Sequence, residues 1–340
     1  MQEDKSGRLR LPDPFKELFM MNHNTKPCRD PADMKCCRLC PRECGADRTK
    51  GRYGVCRADA QVVVARAALH AWEEPVISGR NGSGAVFFSG CSLGCVYCQN
   101  YAISGTDLSS TAGKSVSVQK LAEIFLRLQD LKKANNINLV TAAHFIPQVA
   151  EALEIARKRG LHIPVIYNSS GYEKVSSLSM LDGLVDVYLP DLKYLTPELA
   201  ALYSHAKDYP DRAKEAIAEM VRQVGEPRFG PEQGNEENLL IEKGVIVRNL
   251  LLPGHVEESK KIVRYLHETY GDRIYISLMN QYTPMPAMRG DPLLGRKVTK
   301  REYERLVQYA LEIGVVNGFI QEGKTAEKSF IPSWNGEGVE

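Results

Sequence analysis

The sequence predicts an α/β protein in which helices cover a parallel sheet. From residue 85 onward, six short apolar runs alternate with helical patterns. The runs are apolar along their whole length, which is typical of parallel strands buried on both faces. By contrast, the first 60 residues are polar and contain six of the nine cysteines. A small cysteine-rich module is therefore expected in front of a larger α/β core.

Each of the six predicted strands is a short run of aliphatic and β-branched residues. They are Ala85–Ser89, Asn138–Thr141, Pro164–Asn168, Val185–Leu189, Val245–Leu251 and Ile274–Leu278. Another strand, Gln61–Leu69, precedes them and is followed by a Gly-rich connector at 78–84. The connector lacks the Lys-Ser/Thr ending of a phosphate-binding loop and precedes a strand, so we interpret it as a turn.

The predicted helices carry apolar residues on one face and recognisable start signals. They are Val118–Lys133, Pro147–Arg159, Pro197–Tyr203, Arg212–Val224, Glu258–Tyr270 and Lys300–Ile313. Ser117 and Thr196 stand at N-cap positions, and Thr299 with Glu302 forms a capping box. The polar, Pro- and Gly-rich residues 225–243 predict a solvated loop or a substrate lid. Strand–helix alternation alone fits either an open doubly wound sheet or a barrel.

Composition excludes several classes of protein. Lys+Arg 44 against Asp+Glu 42 gives a net charge of +2, so no basic footprint for nucleic acid is expected. The apolar runs are too short to span a bilayer, and the polar N-terminus lacks the apolar region of a signal peptide. The cysteines are closely spaced, as in metal ligation within a reducing compartment. We expect a cytoplasmic, oxygen-sensitive protein.

Cys91, Cys95 and Cys98 form the most informative motif. Three thiolates on one loop can each bind one iron of a 4Fe–4S cluster, which normally takes four cysteines. Because no cysteine follows Cys98, this loop leaves one iron open, which distinguishes a reactive metal site from a structural one. A zinc knuckle would instead need a fourth ligand. Gly94 lets the backbone fold tightly between the thiols.

The spacing Cys-x3-Cys-x2-Cys, with Tyr97 before the last cysteine, resembles the signature of the radical S-adenosylmethionine (SAM) enzymes. The resemblance implies a partial (β/α)6 barrel with chemistry at the carboxyl ends of its strands. It also implies that the open iron chelates SAM and that an electron splits SAM into methionine and a 5′-deoxyadenosyl radical. On this basis we expect an N-terminal module at 1–84, a core barrel at 85–290 and a C-terminal helix and tail at 291–340.

The other strand ends should then hold SAM. Asp191 and Asn168 can pair with its ammonium and ribose, and Lys193 or Arg248 can pair with its carboxylate. Tyr97 offers a ring that can face the adenine. A carboxylate such as Asp191 can also simply cap the turn in which it lies.

Three segments resemble the glycyl-radical-enzyme activases, including the pyruvate formate-lyase activating enzyme. They are the cysteine loop ending in Cys98-Gln-Asn100, the run Asp191-Leu-Lys193, and Arg248 followed by Pro253-Gly254. Two features depart from that pattern. Gln99 replaces the usual His, and Thr141-Ala-Ala-His144 stands where those activases carry a Gly-Gly-Glu-type segment that binds the SAM amino group.

With its N-terminal cysteines, the whole chain is similar to pyruvate formate-lyase-activating-enzyme-like proteins. The resemblance implies hydrogen abstraction from a glycine of a partner protein, and an electron donor such as flavodoxin or ferredoxin. Two alternatives stay open: a radical SAM enzyme that modifies another peptide or a small molecule, and a non-enzymatic iron–sulfur or zinc-ribbon binding protein. Iron content and 5′-deoxyadenosine formation separate the enzymes from the last class.

A second group of cysteines precedes the barrel. Cys37, Cys40, Cys44 and Cys56 supply four soft ligands, enough to complete a zinc site or a second iron–sulfur cluster. Structural thiols without metal are the alternative, although four cysteines at ligand spacing seldom lack a metal. Cys36 is an alternative to Cys37 as a ligand, and the pattern assigns no role to Cys28.

Two histidines lie at predicted strand ends. His144 and His255 could act in acid–base chemistry or contact substrate. A hydrogen-bonded structural role is at least as good an interpretation of each.

Overall fold

The fold is described by a computed structural model. The residues that it describes are 32–51, 53–105, 112–232, 235–321, 332 and 334–340. Cys28 lies outside them.

Ten strands of the described residues form one sheet. They are β1 (Val62–His70), β2 (Ser83–Phe88), β3 (Lys114–Val116), β4 (Ile137–Val140), β5 (Val165–Ser169), β6 (Val187–Pro190), β7 (Arg228–Glu232), β8 (Asn235–Leu250), β9 (Tyr275–Met279) and β10 (Gly318–Ile320). Their order is β10-β9-β8-β6-β5-β4-β2-β1-β3, and β7 pairs with β8 off this path. The strands β2, β4, β5, β6, β8 and β9 correspond to the six predicted ones.

The order and direction of the strands distinguish a barrel from an open doubly wound sheet, which the sequence pattern alone could not do. Along the main path from β2 to β10, each strand lies parallel to its neighbour, and these strands follow one another in chain order. A doubly wound sheet instead reverses its strand order at a switch point. Steady winding in one direction produces a barrel, and here the described strands leave it open between β10 and β3. The α/β class and the partial barrel are confirmed.

Helices connect and cover these strands. They are α1 (Pro75–Ser78), α2 (Tyr101–Ser104), α3 (Val118–Asp130), α4 (Ile146–Lys158), α5 (Val175–Leu178), α6 (Pro197–Ser204), α7 (Tyr209–Val224), α8 (Val256–Tyr270) and α9 (Lys300–Glu312). The predicted helices match α3, α4, α6, α7, α8 and α9. Each buries apolar residues in the core; in α3 these include Leu121, Ile124 and Phe125. Full burial of one such side chain contributes about 1.5–3 kcal/mol to stability.

The helix starts follow local chemistry in two of three cases. Ser117 Oγ accepts from the Lys120 amide at 3.1 Å, and the capping box of Thr299 and Glu302 is complete. At the third start, Thr196 occupies the N-cap but makes no side-chain capping bond. Its hydroxyl donates to the Glu258 carboxylate at 2.6 Å instead. The hydrogen bond to Glu258 on α8 thus takes the place of a capping bond within α6.

The expectation of a loop or lid at 225–243 was wrong, because β7 and β8 form an antiparallel hairpin there. Pro231 and Gly230 obscure the strand pattern, and β7 is an edge strand that tolerates them. Tertiary contacts hold the hairpin in place. The carboxylate of Glu232 accepts from the amides of Arg80 (2.8 Å) and Asn81 (3.2 Å), and Phe229 packs on Tyr275.

Segments outside the predicted barrel limits also join the sheet. In the N-terminal region, β1 pairs antiparallel with β2 and with β3. In the C-terminal region, β10 pairs parallel with β9. The C-terminal tail returns to β1, where the Ala67 amide donates to the Glu337 carbonyl at 2.9 Å. No helix within the described part of the chain has the length and apolar character needed to cross a bilayer.

Candidate active site

The carboxyl ends of the strands open onto one cavity of about 230 Å³. This placement agrees with the general position of sites in barrels of this kind. The cavity brings together the cysteine loop and the residues that the sequence predicted to hold SAM. They are Cys91, Cys95, Tyr97, Cys98, Asn168, Asp191, Lys193 and Arg248.

The three cysteines follow directly from the end of β2. All three are free thiols on the wall of the cavity. Gly90 adopts a left-handed backbone with φ of 95°, and a Cβ there would lie 2.5 Å from the Cys56 carbonyl oxygen. Only glycine fits this turn, which directs the chain from the strand into the cysteine loop.

Hydrogen bonds fix the loop to its surroundings. The Cys98 amide donates to the Cys95 carbonyl at 3.1 Å, and the Ser204 hydroxyl donates to Cys95 Sγ at 3.0 Å. Donors to sulfur stabilise a thiolate ligand. Across the described residues, no three His, Cys, Asp or Glu side chains are arranged to hold a single metal ion. A 4Fe–4S cluster spreads its ligands over separate irons, and three free thiols facing one cavity fit that requirement.

An ion network lies on the floor of the cavity, at the ends of β6 and β8. Lys193 Nζ donates to Asp191 Oδ2 at 2.5 Å, and Arg248 Nε donates to Asp191 Oδ1 at 3.0 Å. Burial by itself would raise the pKa of Asp191, but the two cations outweigh it and hold that pKa below its usual value. Asp191 is therefore an anion at neutral pH and more than a turn cap.

Glu73 joins this network and was missed by the sequence reasoning. Arg248 Nη1 donates to its carboxylate at 3.2 Å, while the Nδ2 groups of Asn138 and Asn168 donate at 3.2 and 3.3 Å. Arg248 Nη2 also donates to Asn168 Oδ1 at 2.6 Å. Glu73 comes from the connector between β1 and α1, where no local pattern indicates a site.

Tyr97 lines the cavity, but neighbouring side chains bury most of its ring. Its hydroxyl shares a hydrogen bond with Tyr194 Oη at 2.6 Å. The ring makes edge contacts with Tyr203 and Tyr282, with centroids 6.3 and 6.1 Å away. These contacts fix the ring orientation beside the cysteine loop.

The end of β4 has unusual backbone geometry. Thr141 adopts φ of 62°, a region that β-branched residues rarely occupy, and it lines the cavity. Its amide donates to the Asn168 carbonyl at 2.9 Å. Strain of this kind persists at functional sites when the surrounding structure enforces it. It occurs where the activases carry their Gly-Gly-Glu-type segment.

Neither histidine candidate reaches the cavity. His144 is buried, and its Nε2 bonds to the Ser89 carbonyl at 2.7 Å. Burial, with help from the charge of Arg48, lowers the pKa of His144 to about 3, so this ring is neutral. His255 Nε2 bonds to the Tyr203 hydroxyl at 3.0 Å. Both imidazoles therefore form hydrogen bonds within the fold, as structural histidines do.

A buried carboxyl behind the network gives a testable pH dependence. Burial raises the pKa of Glu173 to about 8, and the nearby Asp191 adds to the effect. The folded protein keeps this proton up to that pH, whereas the unfolded chain loses it near 4.5. The contribution of Glu173 to the free energy of unfolding is therefore greatest below about pH 4.5. This contribution falls by up to about 1.4 kcal/mol per pH unit as the pH rises to the pKa of the folded state.

We expect Glu173→Gln to remove this loss, so that the variant has the higher unfolding midpoint at pH 8. Thermal unfolding of the metal-loaded protein at several pH values between 5 and 8 measures it. Glu198→Gln, which removes an exposed carboxyl on α6, is the control and should follow the wild type. Parallel pH profiles for wild type and Glu173→Gln would contradict the assignment.

Comparison with known proteins gives one family match. Residues 85–225 match the model of the radical SAM superfamily. This part of the chain is similar to a radical SAM domain. A 4Fe–4S cluster and SAM are the cofactors of such a domain, and the cysteine loop and cavity lie within or beside the matched residues.

The chain is also similar to an uncharacterized protein, MJ0674, of Methanocaldococcus jannaschii. The two are 28% identical over 281 residues, which cover 81% of this chain and 74% of the relative. Among solved structures, SuiB of Streptococcus suis bound to SAM aligns with a TM-score of 0.45 at 15% identity. That alignment covers 68% of this chain and 48% of SuiB, so the chain spans about half the length of SuiB. Methylornithine synthase (PylB) aligns with a TM-score of 0.46 at 12% identity, covering 77% of this chain and 76% of PylB.

Proposed function

We propose that this protein is a glycyl-radical-enzyme activase, which abstracts a hydrogen atom from a glycine of a partner protein. When bound by Cys91, Cys95 and Cys98, the cluster supplies the electron that cleaves SAM to methionine and a 5′-deoxyadenosyl radical. The radical takes hydrogen from the glycine and leaves as 5′-deoxyadenosine. A low-potential protein such as flavodoxin or ferredoxin is the proposed electron donor.

One observation carries the proposal. The three segments that resemble the activases are distant in sequence, yet their side chains line one cavity. The cysteine loop forms its wall, while Asp191, Lys193 and Arg248 form one ion network on its floor. Residues that are merely similar by chance have no reason to converge in this way.

The network has the charges that SAM requires. In the proposed arrangement, Asp191 receives the ammonium, and Lys193 or Arg248 receives the carboxylate. Asn168, bonded to Arg248 at 2.6 Å, presents its amide to the ribose hydroxyls. Tyr97 lies beside the adenine. Because these groups already pair with one another, their orientations are fixed before the ligand arrives, which lowers the entropic cost of binding.

The rim of the cavity suits a polypeptide. Trp72 lines it and has 59% of its surface exposed, next to His70 and Pro332. A large exposed aromatic ring at the mouth of a polar cavity is typical of a docking position for a protein segment. A glycine at the tip of a partner loop is small enough to reach the floor.

A second candidate, a radical SAM enzyme acting on another peptide or a polar small molecule, is favoured by Glu73 and Gln99. Glu73 adds a carboxylate to the cavity floor outside the segments that resemble the activases. Gln99 stands where those activases have His, and its Nε2 donates to the Gln281 carbonyl at 2.7 Å. Both side chains give the cavity polar groups beyond those assigned to SAM.

The test is anaerobic reconstitution with iron, sulfide, dithionite and SAM, in the presence of candidate glycyl-radical enzymes. We expect 5′-deoxyadenosine together with a glycyl radical signal in electron paramagnetic resonance. With a partner deuterated at glycine, mass spectrometry should detect deuterium in the 5′-deoxyadenosine. Formation of 5′-deoxyadenosine with deuterium transfer only from a small molecule or from another peptide residue would replace the activase by the second candidate. Iron loading without any SAM cleavage would favour a non-enzymatic binding protein.

A further inference from the structure

Four free thiols lie together in the N-terminal segment, and none of them lines the cavity. Cys37, Cys40 and Cys56 are buried and Cys44 is half-buried. A Cβ at Gly54 would lie 2.9 Å from Cys44 Sγ and 3.7 Å from Cys56 Sγ, so these two sulfurs converge where only glycine leaves room.

The remaining two thiols belong to the same group. Burial raises the pKa of the Cys40 thiol, and Cys56, Cys37 and Cys44 lie close enough to add to this effect. The Cys37 amide donates to the Ala46 carbonyl at 3.0 Å, and the Gly45 amide donates back to the Cys37 carbonyl at 3.0 Å, which folds the segment into a tight turn. Cys36 is disulfide-bonded and therefore offers no thiol in place of Cys37.

A buried cation faces this group. Arg48 is 1% exposed, and its Nη1 lies 3.7 Å from Cys37 Sγ. Its other bonds go to backbone carbonyls: Nη1 donates to His144 at 2.7 Å, while Nε and Nη2 donate to Asp59 at 3.0 and 2.6 Å. In the part of the chain that the structure describes, Arg48 has no ion pair with a carboxylate.

Arg48 also lies over the Phe145 ring, with its Cζ 5.4 Å from the ring centroid. Neither the ring nor the carbonyls carry a full negative charge, so this arrangement favours negative charge on the thiols. A guanidinium that is buried without an anionic partner costs several kcal/mol, and protonated thiols supply no charge. Since no three of the described His, Cys, Asp or Glu side chains are arranged to hold a single metal ion, a 4Fe–4S cluster fits these four cysteines better than Zn²⁺ does. Four thiolates around a cluster with two positive charges leave two net negative charges. Such a centre provides the counter-ion that Arg48 lacks.

We propose that Cys37, Cys40, Cys44 and Cys56 bind a second metal centre, that Arg48 balances its charge, and that this centre fixes the loop carrying the radical SAM cluster. The metal centre itself does not depend on the proposed function. Its effect on the loop rests on the assignment of Cys91, Cys95 and Cys98 as cluster ligands.

Direct bonds connect the two cysteine groups. The Cys91 amide donates to the Cys56 carbonyl at 3.2 Å, so a ligand of one site is bonded to a ligand of the other. From the turn between Cys40 and Cys44, Arg42 donates to the carbonyls of Ser92 (3.0 Å) and Leu93 (3.0 Å) in the cluster loop. A metal that holds Cys40, Cys44 and Cys56 therefore holds these donors and acceptors in position.

The first experiment measures zinc, iron and sulfide in anaerobically purified full-length protein. We expect about eight irons per chain, four for each cluster. Cys40→Ser with Cys44→Ser should lose about four irons and keep the remaining four. Identical metal content in the wild type and the double variant would overturn the proposal.

The role of Arg48 is tested by the rate at which a chelator removes the second metal. Arg48→Met should lose it several-fold faster than wild type, and Arg48→Lys, which keeps the charge, should be closer to wild type. Lys50→Met removes a nearby cation whose side chain is 74% exposed, and it should match wild type. Equal rates for all four proteins would show that Arg48 does not balance the centre.

The effect on the loop is read from the barrel cluster without using activity. In the Cys40→Ser, Cys44→Ser variant, iron should leave the remaining cluster several-fold faster than in wild type. Equal rates would reject the coupling and leave the second metal site in place. If that variant does not fold, stripping the second metal from the wild type and measuring the same rate makes the same distinction. Since these measurements need no SAM cleavage, their outcome is separate from that of the proposed function.

Discussion

Replacing Cys95 by alanine should abolish SAM cleavage. In the proposed cluster each thiolate of the loop holds a different iron, so the loss of one leaves an incomplete cluster that cannot hold both its irons and SAM. Cys95 is also the proposed ligand to which the Ser204 hydroxyl donates, at 3.0 Å. We expect 5′-deoxyadenosine formation below detection under conditions in which the wild type turns over, measured by chromatography of anaerobic reactions.

A matched control lies in the same loop. Ser92→Ala keeps the backbone carbonyl that Arg42 binds and removes only a hydroxyl, so it should retain the cluster and most of the activity. Cleavage at the wild-type rate by Cys95→Ala would exclude the cysteine loop as the site of the reactive cluster. Loss of cleavage in both variants would point to disruption of the loop fold instead.

Asp191→Ala should have the second large effect, on SAM affinity. This carboxylate is the common partner of Lys193 and Arg248, and its low pKa keeps it charged at neutral pH. Without it, the SAM ammonium loses its proposed partner. We expect the dissociation constant for SAM to rise at least tenfold, equivalent to about 1.4 kcal/mol, while the visible absorbance of the cluster stays. Equilibrium binding under anaerobic conditions measures both.

The same change also destabilises the fold, because it leaves the buried Lys193 without its ion-pair partner and removes one of the two carboxylates that Arg248 contacts. Removing one member of a buried ion pair costs about 3–5 kcal/mol, so Asp191→Asn, which keeps shape and polarity, should accompany it. Asp186→Asn, at the opposite end of the same strand and paired with Arg157, is the control and should bind SAM normally. If both Asp191 variants bind SAM as the wild type does, Asp191 serves only as a counter-ion to its neighbours.

Much of the barrel could be predicted because its signals are local. Strands buried on both faces must be apolar throughout, and helices on their outer surface must carry one apolar stripe, so both can be read from short windows. The cysteine loop is local too, since its three thiols lie within eight consecutive residues of the sequence. Asn168, Asp191 and Lys193 were predicted to meet because the carboxyl ends of parallel strands share one edge.

Other features depend on residues far apart in the chain. The hairpin of β7 and β8 is held by Glu232 bonding to the amides of Arg80 and Asn81, and the Pro- and Gly-rich sequence of the hairpin does not indicate it. The direction in which the chain winds, which makes the sheet a partial barrel, is a property of pairing between strands. A strand pattern does not contain it.

The sequence by itself determined the cysteine motifs, the six strand–helix units and the residues at the strand ends, because each is fixed by the chemistry of neighbouring residues. Only the tertiary structure decided that Glu73 reaches the network of Arg248 and that Arg48 is buried against Cys37. Both are charged residues in polar segments, where exposure to solvent is the usual outcome. Their burial is stabilised by partners that only folding brings within reach.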